Sequence, residues 1–116
     1  MKSDLADRTK AFALRIVRLF VSLPRTEEAL VLGRQMLRAG TSVGANYREA
    51  NRARSNAEFI AKIGDCLKEL DETGYWMELI VEAEISTTKS IFELIDECDE
   101  LLAIFTTISK KAKRRE

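Results

Sequence analysis

Apolar side chains recur along the chain in steps of three and four. They fall at Phe12, Ile16, Leu19, Phe20 and Leu23, then at Ile63, Cys66, Leu67, Leu70, Met77, Ile80 and Val81, and the rhythm resumes at Ile91. Such steps keep residues on one side of a helix, whereas a half-buried strand needs alternation in twos, which is sustained nowhere. The pattern predicts helices over about 4–23, 27–54, 56–84 and 89–111. Ser3 or Asp4 is placed to cap the first, and Pro24, which lacks an N–H and forces its predecessor out of helical geometry, ends it. Thr26 with Glu27 and Glu28 offers a cap oxygen and favourable charge to the second helix, and Ser55-Asn56-Ala57-Glu58 spells a capping box for the third. Ile85-Ser86-Thr87-Thr88 turns the chain into the fourth. Connectors this short require adjacent helices to run antiparallel. The predicted fold is all-α, an up-down-up-down antiparallel four-helix bundle forming a single domain over 1–116.

The apolar faces are wider than one bundle core needs. Leu14, Val17 and Val21 extend the first stripe around its helix, and Phe59, Trp76, Leu79 and Ala83 form a second face on the third. A lone subunit exposing that area would carry an unusually large apolar patch, so the pattern predicts a homo-oligomer. The second helix has small inward positions, Gly33, Gly40, Gly44, Ala50 and Ala53, which predict close helix packing or a bend around Gly40-Thr41-Ser42. These glycines are no phosphate loop: the Gly-Lys-Ser/Thr ending and the preceding strand are both missing.

Composition narrows the chemistry. The 116 residues contain no His, which excludes imidazole acid–base catalysis, Ser-His and Cys-His nucleophile pairs, and the usual zinc and di-iron sites. Cys66 and Cys98 stand far apart within apolar helical patterns and read as reduced core residues of a cytoplasmic protein. Arg15 and Arg18 interrupt the only leader-like run, and no stretch approaches the roughly 18 apolar residues of a membrane span. No cofactor and no metal are expected, and the chain is expected not to be an enzyme.

Charge is balanced, nineteen basic against nineteen acidic, but segregated. Residues 1–25 hold six basic and two acidic side chains, while 56–87 hold two and eight. The end of the chain, Lys110, Lys111, Lys113, Arg114 and Arg115, is basic again and is expected to fray. Arg8, Arg15, Arg18 and Arg25 line one basic stripe, and Arg34, Arg38, Arg48 and Arg52 another. In one reading these pair with carboxylates, Arg38 with Glu72 and Arg52 with Glu58, with Glu69 and Asp65 on the same acidic face. In the other, Arg8, Arg15, Arg18, Arg25, Arg34, Arg48 and the tail cations follow a phosphate backbone. Glu49, Glu69 and Glu72 could in principle form a carboxylate metal site, but without His and with Arg38 and Arg52 nearby, salt bridges are the default.

The run from Gln35 to Ala50, followed by Arg54-Ser55, Glu58-Phe59-Ile60, Glu69, Glu72 and Tyr75-Trp76, resembles the bacterial 23S rRNA-intervening sequence proteins. The likeness includes Leu23-Pro24 and Glu27-Glu28 and covers nearly the whole chain. It implies a four-helix bundle assembled as a ring-like homopentamer in the bacterial cytoplasm. It marks Arg38, Ser42, Asn46, Glu49, Arg52, Glu69, Glu72 and Trp76 as a polar network knitting helices or subunits together. The fold is also similar to that of accessory proteins of diversity-generating retroelements, which implies RNA or DNA, and a reverse transcriptase, as partners. The expected function is a non-enzymatic accessory protein binding structured RNA through Arg and Lys on an oligomer face. The competing expectation is a protein-interaction scaffold without nucleic acid.

Overall fold

The computed structural model describes residues 2–115, with side chains from residue 4. It is an all-α four-helix bundle measuring 47 × 21 × 19 Å, with no strand among the described residues. The helices are α1 (Lys2–Ser22), α2 (Glu27–Ala50), α3 (Asn56–Glu82) and α4 (Lys89–Lys113).

Caps set most of these limits. The Thr26 hydroxyl accepts the Ala29 N–H at 3.3 Å, and the Ser55 hydroxyl accepts the Glu58 N–H at 3.1 Å. The box is skewed by one residue, because the Glu58 carboxylate accepts the Arg54 N–H at 3.3 Å. This cap also explains why α2 stops at Ala50 and not near 54. Ser55 must be extended to serve as a cap, so the chain tightens beforehand, with Arg52 and Ala53 donating their N–H groups three residues back to Glu49 and Ala50. At the other boundary, α1 begins at Lys2, which places Asp4 inside the first turn and not at a cap. The expected cap side chain of Ser3 lies outside the described residues.

The basic end continues the last helix for most of its length. Helix α4 runs through Lys113, with Ala112 3% exposed and its carbonyl accepting the Asn56 side-chain amide at 2.9 Å. Three lysines in the last turn also suit the negative end of the helix dipole.

Core residues repeat at helical spacing on every element: Phe12, Ile16 and Leu19 on α1, Met36, Val43 and Tyr47 on α2, Ile63, Leu70 and Met77 on α3, and Leu94, Leu101 and Phe105 on α4. Between α1 and α2 the glycines permit close approach. A Cβ on Gly40 would stand 2.8 Å from Ile16, and one on Gly33 would stand 2.9 Å from Leu23. The helix runs uninterrupted through Gly40-Thr41-Ser42, where both hydroxyls bond back to carbonyls one turn earlier. Partner numbers fall as residue numbers rise at the α1–α2 and α2–α3 seams: Gly33 faces Leu23 and Gly44 faces Thr9, while Arg38 meets Glu72 and Glu49 meets Lys62. One end of the bundle therefore gathers the start of α1, the end of α2, the start of α3 and the end of α4.

The expected second apolar face is only partly present. On α3, Phe59, Trp76 and Leu79 are half-buried, the first two packed against the core. On α1, Leu14, Val17 and Val21 are exposed, Val21 at 69%, and Val31, Tyr75 and Phe92 join them elsewhere.

Candidate nucleic-acid interface

The ion pairs sort the basic residues. Arg8 donates from Nε and Nη2 to the two Glu97 oxygens, both at 2.7 Å, and from Nη2 to Glu100 at 2.8 Å, tying α1 to α4. These carboxylates raise the guanidinium pKa further, with the Glu97 bond contributing most. Arg8 belongs to this fork, and the structure removes it from the stripe expected to face phosphate. Glu97 and Glu100 belong to no motif in the sequence, although their spacing of three puts both on one side of α4.

The network expected between α2 and α3 exists in two separate pieces. Arg38 donates to Glu72 at 2.7 Å and, more loosely, to Glu69 at 3.5 Å, while the Ser42 hydroxyl donates to the Arg38 carbonyl at 2.6 Å. Glu49 accepts from Lys62 at 2.6 Å, a contact that raises the lysine pKa. The register that brings Arg38 to Glu72 also brings Glu49 to Lys62, so this second pair was within reach of the sequence. Arg52 is exposed and does not meet Glu58, whose carboxylate turns to the Arg54 N–H. Asn46 is half-buried on α2 without a hydrogen bond to the others. Trp76 packs on the core edge-to-face with Tyr75, ring centres 5.2 Å apart, and its indole N–H is buried without an acceptor. Glu69 and Glu72 are taken by Arg38 and Glu49 by Lys62, and among the described residues no group of three metal-ligating side chains comes together.

Cys66 and Cys98 are free and buried, donating to the carbonyls of Val43 and Leu70. Burial is the first cause pushing both thiols up to about 12, which leaves neither as a thiolate at neutral pH.

Arg15, Arg18, Arg25, Arg34, Arg48 and Arg52 form no ion pair among the described residues, nor do Lys110, Lys111, Lys113, Arg114 and Arg115. The structure divides them. Arg25 and Arg34 lie at the end where α1 turns into α2, and Arg15 and Arg18 lie along α1. Arg48 and Arg52 are at the opposite end with the α4 tail, where Arg115 borders the same hollow as Asn51 and Asn56. Two cation groups separated in sequence, at 48–52 and 110–115, thus become one basic end. The α1–α2 seam opens there into a cleft of about 460 Å³ lined by Lys10, Arg48 and Arg52 among small and hydroxyl side chains. Exposed carboxylates that form no ion pair among the described residues, Asp71, Glu78, Asp96 and Asp99, occupy α3 and α4. No described helix is long and apolar enough to cross a membrane.

The 23S rRNA-intervening sequence protein family model matches residues 1–107. A crystal structure of a protein of unknown function from the S23 ribosomal protein family of Bacteroides thetaiotaomicron is similar over 95% of this chain and 99% of that one. The identity is 39% and the TM-score 0.86. No functionally curated protein matches. With the family pattern spanning nearly every described residue and a relative of the same fold at that identity, the chain belongs to the 23S rRNA-intervening sequence protein family.

Proposed function

We propose that the chain is a non-enzymatic, cytoplasmic accessory protein that assembles with copies of itself and binds structured RNA through the basic end of its antiparallel bundle. One observation carries this reading: the chain holds as many carboxylates as cations, yet Arg48, Arg52 and the α4 tail gather at one end and form no ion pair among the described residues. Arg8, Arg38 and Lys62 do find acidic partners, the last on Glu49 beside Arg48. Unpaired guanidinium groups have the planar fork that phosphate accepts bidentately, and clustering them raises the local attraction for a polyanion despite zero net charge.

Assembly is supported by the flanks. Around α1 and α2, Leu14, Val17, Val21 and Val31 are exposed beside unpaired arginines, while Tyr75 and Phe92 are exposed among the carboxylates of α3 and α4. Two different patches, each partly apolar and opposite in charge, suit head-to-tail docking, which closes into a ring when the rotation allows. Five copies is the number the family resemblance implies. Rotation about an axis along the bundles would turn every basic end to the same face and multiply weak phosphate contacts.

The same exposed apolar residues favour the second reading, a scaffold for another protein such as a reverse transcriptase. Sedimentation velocity with a labelled RNA hairpin separates the two. The proposal expects a multimer that carries the RNA with it; a multimer sedimenting without RNA at low salt supports the scaffold, and a monomer removes the ring.

A further inference from the structure

The cleft at the basic end is more specific than a charged surface. Its walls come from α1 and the last turns of α2, and Ala6, Ala13, Gly44 and Ala45 hold its sides back. Lys10 stands on one wall, with Arg48 from the last turn of α2 and Arg52 from the turn just beyond it on the other. Thr9, Thr41, Asn51 and Tyr47 complete it, and no Asp or Glu lines it. None of the three cations forms an ion pair among the described residues. Gly44 lets α1 and α2 approach closely beside the cleft, since a Cβ there would stand 3.3 Å from the Thr9 hydroxyl.

One feature opposes an anion: the C-terminus of α2, which carries the negative end of a helix dipole, borders the same space. That end amounts to about half a charge. It is also quenched locally, because the carbonyls of Tyr47, Glu49 and Ala50 already accept the N–H groups of Asn51, Arg52 and Ala53. Three full positive charges outweigh it.

We infer that the α1–α2 cleft is a phosphoryl-binding seat in which Lys10, Arg48 and Arg52 converge on the oxygens of one phosphate group. Two sources supply that chemistry, a phosphodiester of the RNA backbone or the phosphate of a free nucleotide. The first rests on the RNA-binding reading above; the second does not. Guanidinium forks from Arg48 and Arg52 would bind the oxygens in plane, and the Lys10 ammonium would close from across the groove as a point charge. The small side chains leave room for the sugar beside it, and the volume lies in the range of nucleotide-sized ligand clefts.

The test compares the wild-type chain with Arg48→Gln/Arg52→Gln, using AMP by calorimetry and an RNA hairpin by fluorescence anisotropy at fixed ionic strength. Arg34→Gln, at the far end of the bundle, is the charge control. Both arginines of the double variant are exposed and unpaired, so circular dichroism should match the wild type. A seat for backbone phosphate predicts that the double variant weakens RNA binding by about tenfold and lowers the salt slope by one to two, roughly one per lost contact, while Arg34→Gln leaves this site intact. Loss of AMP binding with RNA binding unchanged identifies a free nucleotide as the ligand. AMP binding by a wild-type chain that holds no RNA sinks the RNA reading and keeps the seat. If the double variant binds both probes as the wild type does, or the wild type binds neither, the seat is overturned.

Discussion

Glu84 follows the C-cap of α3 with φ of 60°, a left-handed conformation that suits glycine and strains a side chain bearing a Cβ. It is held there because the Glu84 N–H donates to Val81 and the Ile85 N–H to Ile80, satisfying two of the last carbonyls. Glu84→Gly should raise unfolding stability by about 1 kcal/mol, read as a higher urea midpoint, and a lower midpoint contradicts the strain. Arg8→Gln acts oppositely. It leaves Glu97, only 16% exposed, without its fork and should cost about 1–2 kcal/mol, an effect that shrinks in high salt. The two thiols give a pH prediction. Unfolded thiols ionise near 9.0, whereas the native ones stay protonated to about 12. Their contribution is therefore present in full below pH 9 and is lost as pH rises toward 12. A Cys66→Ala/Cys98→Ala chain should show a flatter loss of stability over that window, and alkylation of the native wild type at pH 8 should proceed only through unfolding. Neither the Glu84 conformation nor the Arg8 fork was legible in the sequence, since each depends on where a distant or following residue lands.

The helices themselves were legible, because period, caps and the single proline agree with one another. The limits of α2 and α4 were less so. Arg52, Ala53 and Arg54 are acceptable helix residues in isolation, and only the need to extend Ser55 as a cap ends α2 early. Likewise the Lys110–Lys113 turn looks like a solvated tail until Asn56 is found bonded to Ala112. Glycines within helices distinguish packing from tolerance. Gly40→Ala would press a methyl onto the β-branched Ile16, and overpacking should outweigh the gain in helix propensity for a net loss of about 1–2 kcal/mol. Gly64, by contrast, sits in α3 with nothing within 4 Å of the place a Cβ would take, so Gly64→Ala should stabilise by about 1 kcal/mol. Urea unfolding of the two variants checks both signs, and equal shifts in one direction would show that the α1–α2 seam is looser than described.

At the scale of the molecule, charge segregation along the chain was visible in the sequence, but its consequence was not. Residues 48–52 and 110–115 look unrelated until the bundle folds them to one end, and Arg25 and Arg34, expected to follow the same phosphate backbone from two separate stripes, go to the other. The exposed apolar flank predicts that Val21→Glu lowers the assembled mass in sedimentation while leaving helicity unchanged; an unaltered mass would place the contact between copies elsewhere. The most direct measurement is the salt dependence of RNA hairpin binding by the wild-type chain. Phosphate neutralisation by the basic end predicts that the logarithm of the binding constant falls linearly with that of the salt concentration, by about 0.7 to 0.9 per phosphate engaged, with several phosphates engaged at once. Binding that is absent at low salt, or that stays level as salt rises, would contradict a cationic end built for RNA.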